Sequence, residues 1–326
     1  MYLYSNIFGT FVLSQNFEIR EKVLFELSEA IMVSDLLENG KVLPSEEKFL
    51  AKFKSIENLR QSKDLKKIRK AIEAVDSMAG DFYDTNMVVT KTKVASSVTA
   101  DILLVQCSNA IDEYAKASNL LVKRLREWYS FYYPEASEYI DDNESFVLTI
   151  IEKSRETLKR EQRVKLSMGG KLTDEDVDAI IVMAKSVAAM YEAKKSEELY
   201  LENMMKKVCP NLNYVAGTMI GAKLLSIAGT MKKLVLFPSS TIQLLGAEKA
   251  LFRHLVNRRA LPPKHGILHE HKLLLGSPRK NHGKIARALA DKISLAVRID
   301  YFKGEFRGDL LKKELEERVA AINNGK

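Results

Sequence analysis

The chain opens on two short runs rich in Tyr, Phe, Val and Ile, Met1–Asn6 and Phe8–Ser14, set around the turn-forming Asn6 and Gly9; the pattern predicts a pair of strands. From Glu18 to Glu38 the apolar positions Val23, Leu27, Ile31 and Leu36 recur at helical spacing, and Asn39-Gly40 supplies a stop. Pro44 and a Lys-rich stretch follow. Around Val94 the helical period strengthens: Val98, Ile102, Val105, Ile111, Tyr114, Leu121, Leu125 and Trp128 keep three- and four-residue intervals until Pro134, as one long helix or two end to end. Phe146, Val147, Ile150, Ile151 and Leu158 begin a second helix, which Gly169-Gly170 breaks like a hairpin tip. Thr173 then caps a third helix with Asp174, Glu175 and Asp176 in its first turn, where negative charge suits the helix dipole. Its apolar stripe runs from Val177 through Ile180, Ala184, Val187, Tyr191, Leu199 and Met204 to Pro210.

Two long helices joined by a short loop pack antiparallel, and a hairpin with so narrow an apolar seam protrudes and pairs with a second copy. From Asn211 onward the helical pattern continues with frequent glycines, closing on a mixed-charge helix from Asp309 to Ile322. The fold class is therefore mainly α: a small α/β N-terminal domain (1–115), a protruding antiparallel coiled coil (116–212) that makes a homodimer, and an all-helical C-terminal domain (213–326).

Composition adds one fact. With 46% hydrophobic and 29% charged residues the chain is an ordinary folded protein, and no apolar run approaches the roughly 18 residues of a membrane span. The expectation is a protein kept inside the cell, with no membrane partner. The net charge of +8 is unevenly distributed. Residues 216–308 hold 17 Lys and Arg, including Lys223, Lys249, Arg253, Arg258 and Lys264, against five acids: Glu248, Glu270, Asp291, Asp300 and Glu305. That segment carries +12 and the remainder −4. A local positive field of this kind attracts polyanions, and phosphate neutralisation dominates nucleic-acid affinity.

Tests for chemistry return little. Cys107 and Cys209 have neither a CxxC spacing nor the density of a disulfide framework, and read as buried small residues. Gly217 to Lys223 imitates a phosphate loop, but only three residues separate its glycines and Ala222 precedes the lysine, so helix packing is the better reading. His265, His269 and His271 superficially suit a metal, yet only Glu270 is near and the surrounding Lys and Arg repel a cation. No nucleophile–base arrangement and no dinucleotide fingerprint stand out. We expect no catalytic residue, no cofactor and no metal.

The informative stretch is Pro238 to Leu255. A polar loop and Gly246 precede a helix that carries Lys249 and Arg253 four residues apart, and a glycine at a helix start lets a phosphate approach the backbone. Pro262-Pro263-Lys264-His265-Gly266 is a rigid basic loop, and Gly283-Lys284-Ile285-Ala286-Arg287 opens a helix whose Lys284, Arg287 and Lys292 line the same groove. Such features serve shape and backbone recognition of RNA.

At these residues the chain resembles the Nop family. The signature is Gly-Ala-Glu-Lys-Ala-Leu-Phe-Arg-His-Leu at 246–255, accompanied in family order by Pro210-Asn211-Leu212, the 263–266 loop, the 283–287 helix start and Ile299-Asp300-Tyr301-Phe302. The likeness is specific over about 95–310 and looser before that, where the short strands and Leu125-Arg126-Glu127-Trp128-Tyr129 still agree. The resemblance implies an N-terminal domain that docks the methyltransferase fibrillarin, a dimerising coiled coil, and a Nop domain gripping a box C/D guide RNA already held by a kink-turn-binding ribosomal-type protein. The assembly methylates ribose 2′-hydroxyls at guide-selected sites, with catalysis belonging to fibrillarin. By carry-over, Gln243, Gly246, Ala247, Glu248 and Lys249 form the composite RNA–protein contact, and Arg253, Lys264, His265, Lys284 and Arg287 are flanking phosphate contacts.

Two departures matter. His282 stands where the family often has Arg, and the long Lys/Glu-rich tail common in eukaryotic members is missing, which points to an archaeal, cytoplasmic member over a nucleolar one. The rival readings are a spliceosomal-type Nop protein that clamps a kink-turn RNA without a methyltransferase, and a chain that modifies RNA itself.

Overall fold

The computed structural model describes residues 1–53, 55–76, 82–257 and 259–324, and the chain forms two compact units, Met1–Thr99 and Ala100–Lys326. In the first unit, β1 (Tyr2–Ser5) and β2 (Gly9–Leu13) pair antiparallel, as their apolar runs predict. A third strand, β3 (Ile19–Leu24), takes residues the helical spacing had claimed. Val23 pairs with Thr10 across the free edge of β2, and hydrogen bonds along that edge outweigh a four-point helical periodicity. Helix α1 starts only at Leu27 (Leu27–Glu38), where Glu29 accepts the Glu26 N–H at 3.2 Å, and it ends before Gly40 at φ +68°.

Helix α2 (Pro44–Lys52), strand β4 (Glu57–Asn58), α3 (Leu65–Asp76) and α4 (Phe82–Ser96) complete the unit, whose sheet order is β3-β2-β1-β4 with β4 parallel to β1. Every residue of β2 is buried because both faces are covered: Phe11 and Leu13 meet Ala71 and Val75 of α3, while Val12 and Leu3 meet Phe49 of α2.

The second unit is all-helical among the described residues. Helix α5 (Ala100–Ser130) runs straight through the boundary expected at 115/116, so the compact units divide the chain nearer its start. After it come α6 (Glu135–Tyr139), α7 (Asn143–Glu152), α8 (Arg155–Glu161) and the 35-residue α9 (Asp174–Val208). Thr173 caps α9 with Asp176 returning the bond, as the sequence indicates.

The antiparallel pair is α5 with α9, and not the two segments flanking Gly169-Gly170. Val122, Leu125 and Tyr129 pack on Ile180, Ala184 and Val187 at one end, and Leu104, Cys107 and Ile111 pack with Leu201 and Met205 at the other. The 146–158 region is two short helices, interrupted where Ser154 caps α8, and it packs Phe146, Val147 and Ile150 against one end of α9 without running along its length. The long connection closes back on α5: Gly170 N–H donates to Phe131 O at 2.8 Å, and a Cβ on Gly169 would lie 1.9 Å from Tyr132 O. At 1.5 Å per residue the two long helices run about 46 and 52 Å. They therefore link two separate hydrophobic cores, one at each end.

The larger core is built by α10 (Pro210–Ala216), α11 (Thr218–Ala228), α12 (Met231–Leu236), α13 (Ser239–Leu244), α14 (Glu248–Val256), α15 (Lys272–Leu275), α16 (His282–Tyr301) and α17 (Gly308–Asn323). Helix α16 is its axis: Ile285, Ala286, Leu289, Ala290, Ile293, Ala296 and Val297 are fully buried, and α10, α12, α13, α15 and α17 pack around it. The Gly217–Lys223 stretch is a helix-packing device, since a Cβ on Gly221 would meet Met205 Cε at 2.8 Å and Lys223 is paired with Glu270. Both cysteines are buried. The Cys107 thiol, desolvated and donating to Glu197, is pushed up to about 12, and burial also raises Cys209, so neither presents a thiolate near neutral pH.

One polar clasp locks this core. Asp300 accepts from Asn211 N (3.1 Å), Asn211 Nδ2 (2.7 Å) and Leu212 N (2.8 Å), while Asn211 Oδ1 accepts from Arg307 N at 2.7 Å. The Pro210-Asn211-Leu212 and Ile299–Phe302 segments, far apart in sequence, are thus two halves of one contact in which a carboxylate satisfies the open start of α10. Burial raises the Asp300 pKa while its three donors oppose the rise. Asp300→Ala is expected to cost on the order of 3 kcal/mol in urea denaturation, because two backbone N–H groups and a buried amide lose a charged acceptor together. A loss below about 1 kcal/mol would show the clasp to be dispensable.

Candidate nucleic-acid interface

The site is assembled by Gln243. Ile242 and Leu245 are buried and fix α13 against α16, which leaves the stretch expected as a polar loop as one short helix. From there the Gln243 side-chain amide donates to Lys264 O at 2.7 Å and reaches Gly283 O at 3.5 Å, while the Gln243 main-chain carbonyl accepts from Gly266 N at 2.9 Å. A second rung follows, Ile267 N to Leu245 O at 2.8 Å. Three segments distant in sequence, 243–246, 264–267 and the start of α16, are drawn together in this way. With only 9% of its surface exposed, Gln243 holds the interface from within.

Two glycines make the approach possible. Gly266 has no room for a side chain, since a Cβ would stand 1.8 Å from Leu245 O. Gly246 adopts φ +84°, and the space beside its Cα is taken by Ile267, 2.5 Å from where a Cβ would be. Its N–H is also occupied, donating to Glu248 Oε1 at 2.7 Å. The structure thus assigns Gly246 a turn and a packing contact in place of the phosphate approach expected from the sequence.

Beyond that turn, α14 has no buried residue. Lys249 and Arg253 are exposed four residues apart on one face, behind the half-buried Ala247 and the exposed Glu248. The adjacent face shows Phe252 and Leu255, each 64% exposed, and Val256 is 90% exposed. Contiguous exposed apolar side chains beside cations mark a surface built for a partner.

Lys264 is exposed while its carbonyl is held, and Lys284 and Arg287 stand exposed on one side of the first turns of α16. Lys292 does not join them. It lies on another side of α16 and is paired with Glu314 of α17. Arg258 lies outside the described residues. Among the described residues none of Lys249, Arg253, Lys264, Lys284 and Arg287 has an ion-pair partner, whereas Glu270 is paired with Lys223 and Asp300 is consumed in the clasp.

The histidines regroup. His271 leaves the expected trio: it accepts from Leu273 N at 3.2 Å to cap α15, and burial lowers its pKa. His282 takes its place. The His265 ring stacks at 6.0 Å on His269 and lies 5.7 Å from His282. Among the described residues no group of three His, Cys, Asp or Glu is arranged to hold a metal ion. Sequence reasoning missed His282 because nothing in local spacing shows that the start of α16 folds against the 264–267 loop.

Comparison with known proteins identifies the family. The family model Nop, described as "snoRNA binding domain, fibrillarin", matches residues 110–321, a span containing all ten candidate residues. An uncharacterized NOP5 family protein of Methanocaldococcus jannaschii is 41% identical over 238 residues, covering 68% of this chain and 57% of its own length. Nucleolar protein 58 of Schizosaccharomyces pombe is 35% identical over 69% of this chain and 48% of its own, and nucleolar protein 56 of Saccharomyces cerevisiae 33% over 72% and 52%. The chain spans about half the length of these curated relatives. Among solved structures, a chain of a fibrillarin/Nop5p complex aligns over 98% of this chain and 99% of its own at 21% identity, with a TM-score of 0.46.

Proposed function

The chain belongs to the Nop family, and from that premise we propose that it is the non-catalytic scaffold of a box C/D ribonucleoprotein, joining fibrillarin to a guide RNA already bound by a kink-turn-binding ribosomal-type protein. The observation that carries this reading is the convergence, held by Gln243, of the 264–267 loop and the start of α16 beside the turn that leads into α14, which together bear five exposed cations without ion-pair partners among the described residues. Lys249 and Arg253 on α14, Lys264 and His265 on the loop, and Lys284 and Arg287 on α16 neutralise RNA phosphates, while Phe252 and Leu255 meet the kink-turn protein. This surface reads backbone and shape, since a row of cations around a fixed backbone frame has no base-by-base code.

In the same reading the 1–99 unit docks fibrillarin, and the α5–α9 pair joins two copies through side chains exposed at its far end, among them Phe131, Leu166 and Val182. Fibrillarin performs the ribose 2′-O-methylation, and we assign the assembly to the archaeal cytoplasm. The test is reconstitution of guide RNA, kink-turn protein, this chain and fibrillarin, scored by particle mass and by methylation of a complementary target. The expected result is a particle with two copies of this chain and product only when all four components are present. A particle that binds RNA but never retains fibrillarin would favour a spliceosomal-type clamp, and product without fibrillarin would overturn the scaffold role.

A further inference from the structure

Three imidazoles sit within the basic frame, and their hydrogen bonds define what each can still do. His282 Nε2 donates to Ser277 O at 2.9 Å, which leaves its Nδ1 lone pair open, and His269 Nδ1 donates to Gly266 O at 3.1 Å, which leaves Nε2 open. His265 lies between them, half-buried, at 5.7 and 6.0 Å. Its pKa is lowered from the ordinary value of 6.5, first by desolvation, then by His282 and His269 and more weakly by Lys264, against an upward pull from the Gly266 backbone. The charged groups of the surrounding elements agree: Lys264 on the loop, Arg279 and Lys280 before α16, and Lys284 on it are cations, while Glu270 is tied to Lys223 and Glu248 to the Gly246 N–H. Desolvation and the surrounding positive groups therefore disfavour the charged form of His265, which an anion beside the ring would restore.

We propose that His265, His269 and His282 form a proton-dependent phosphate site, at which an RNA phosphate and a proton bind together. The inference rests on the RNA-interface reading above and adds to it a regulation by pH. An anion beside the rings supplies the counter-charge that the protein withholds, so phosphate binding raises the imidazole pKa and protonation strengthens phosphate binding. The gain in affinity is complete below the pKa of free His265 and is lost as pH rises through that of the phosphate-bound ring. A rise of about one unit on binding corresponds to about fivefold tighter binding at pH 5.5 than at pH 7.5.

The test is fluorescence anisotropy with a labelled kink-turn RNA carrying its kink-turn protein, titrated with the full chain from pH 5.5 to 8 at constant ionic strength. Wild type is expected to gain about fivefold towards acid, and the H265Q/H269Q/H282Q triple variant to lose most of that gain, whatever its affinity at pH 8. Parallel pH profiles for the two proteins, with binding intact, overturn the proton site alone. No binding at any pH overturns the interface itself and this proposal with it. Should the triple variant fail to fold by circular dichroism, 13C-histidine NMR of wild type decides: at least one ring midpoint moves up when RNA is added, and unmoved midpoints overturn the proposal.

Discussion

Replacing Lys249 and Arg253 together with glutamine is expected to weaken assembly on kink-turn RNA about 100-fold and to lower the salt slope of log K by roughly 1.5 to 2. The magnitude follows from two charge-assisted phosphate contacts at about 1.5 kcal/mol each, where 1.4 kcal/mol is a factor of ten. Both side chains are exposed and unpaired among the described residues, so their removal leaves no buried charge behind and folding stability stays close to wild type. Lys292→Gln is the matched control. It removes one positive charge from the same domain, but one already committed to Glu314, and is expected to change the salt slope little. A slope change in the control half that of the pair would mean that only net charge counts, and would sink the assignment of α14 to the interface.

The second large effect is expected from a single methyl group. Gly266→Ala places a Cβ 1.8 Å from Leu245 O and 2.8 Å from Leu244 O, both main-chain atoms that cannot rotate away. Relief requires breaking the rungs Gly266 N to Gln243 O and Ile267 N to Leu245 O, which frees Lys264 and His265 from the frame. A cost of about 3 kcal/mol or more is expected, concentrated in this loop, with RNA affinity falling at least about tenfold. Gly283→Ala is the comparison: the nearest atom to its Cβ is Lys264 Cβ at 3.8 Å, and alanine in a helix gains up to about 1 kcal/mol over glycine. Hydrogen exchange in the loop distinguishes the two, and protection at 266–267 unchanged in Gly266→Ala would refute the account.

These cases show where sequence reading reached and where it stopped. The strands at the start, the capped α9, the helix opened by His282 and Gly283, and the cation pair on α14 were legible, because each is written in residues fewer than five apart. Strand β3 was not, since Val23 is in a strand only because Thr10 lies opposite it. The partner of α9 was mistaken for the same reason: its seam is shared with α5, across an intervening connection whose glycines suggested a nearer turn. Gly246 and Gln243 kept their places on the candidate list while changing their roles, one serving a turn against Ile267 and the other holding the loop to α16.

By itself, then, the sequence determined the helical class, the order of its parts, the concentration of positive charge in residues 216–308 and the motif segments that identify the family. Periodicity, capping and charge are local quantities, and a linear reading recovers them. Only the tertiary structure decided which of those charges stay free, which histidines meet, and why Asp300 faces Asn211, because burial and pairing depend on contacts between residues tens of positions apart. In this chain such contacts separate Lys249, exposed and without an ion-pair partner among the described residues, from Lys292, already spoken for by Glu314.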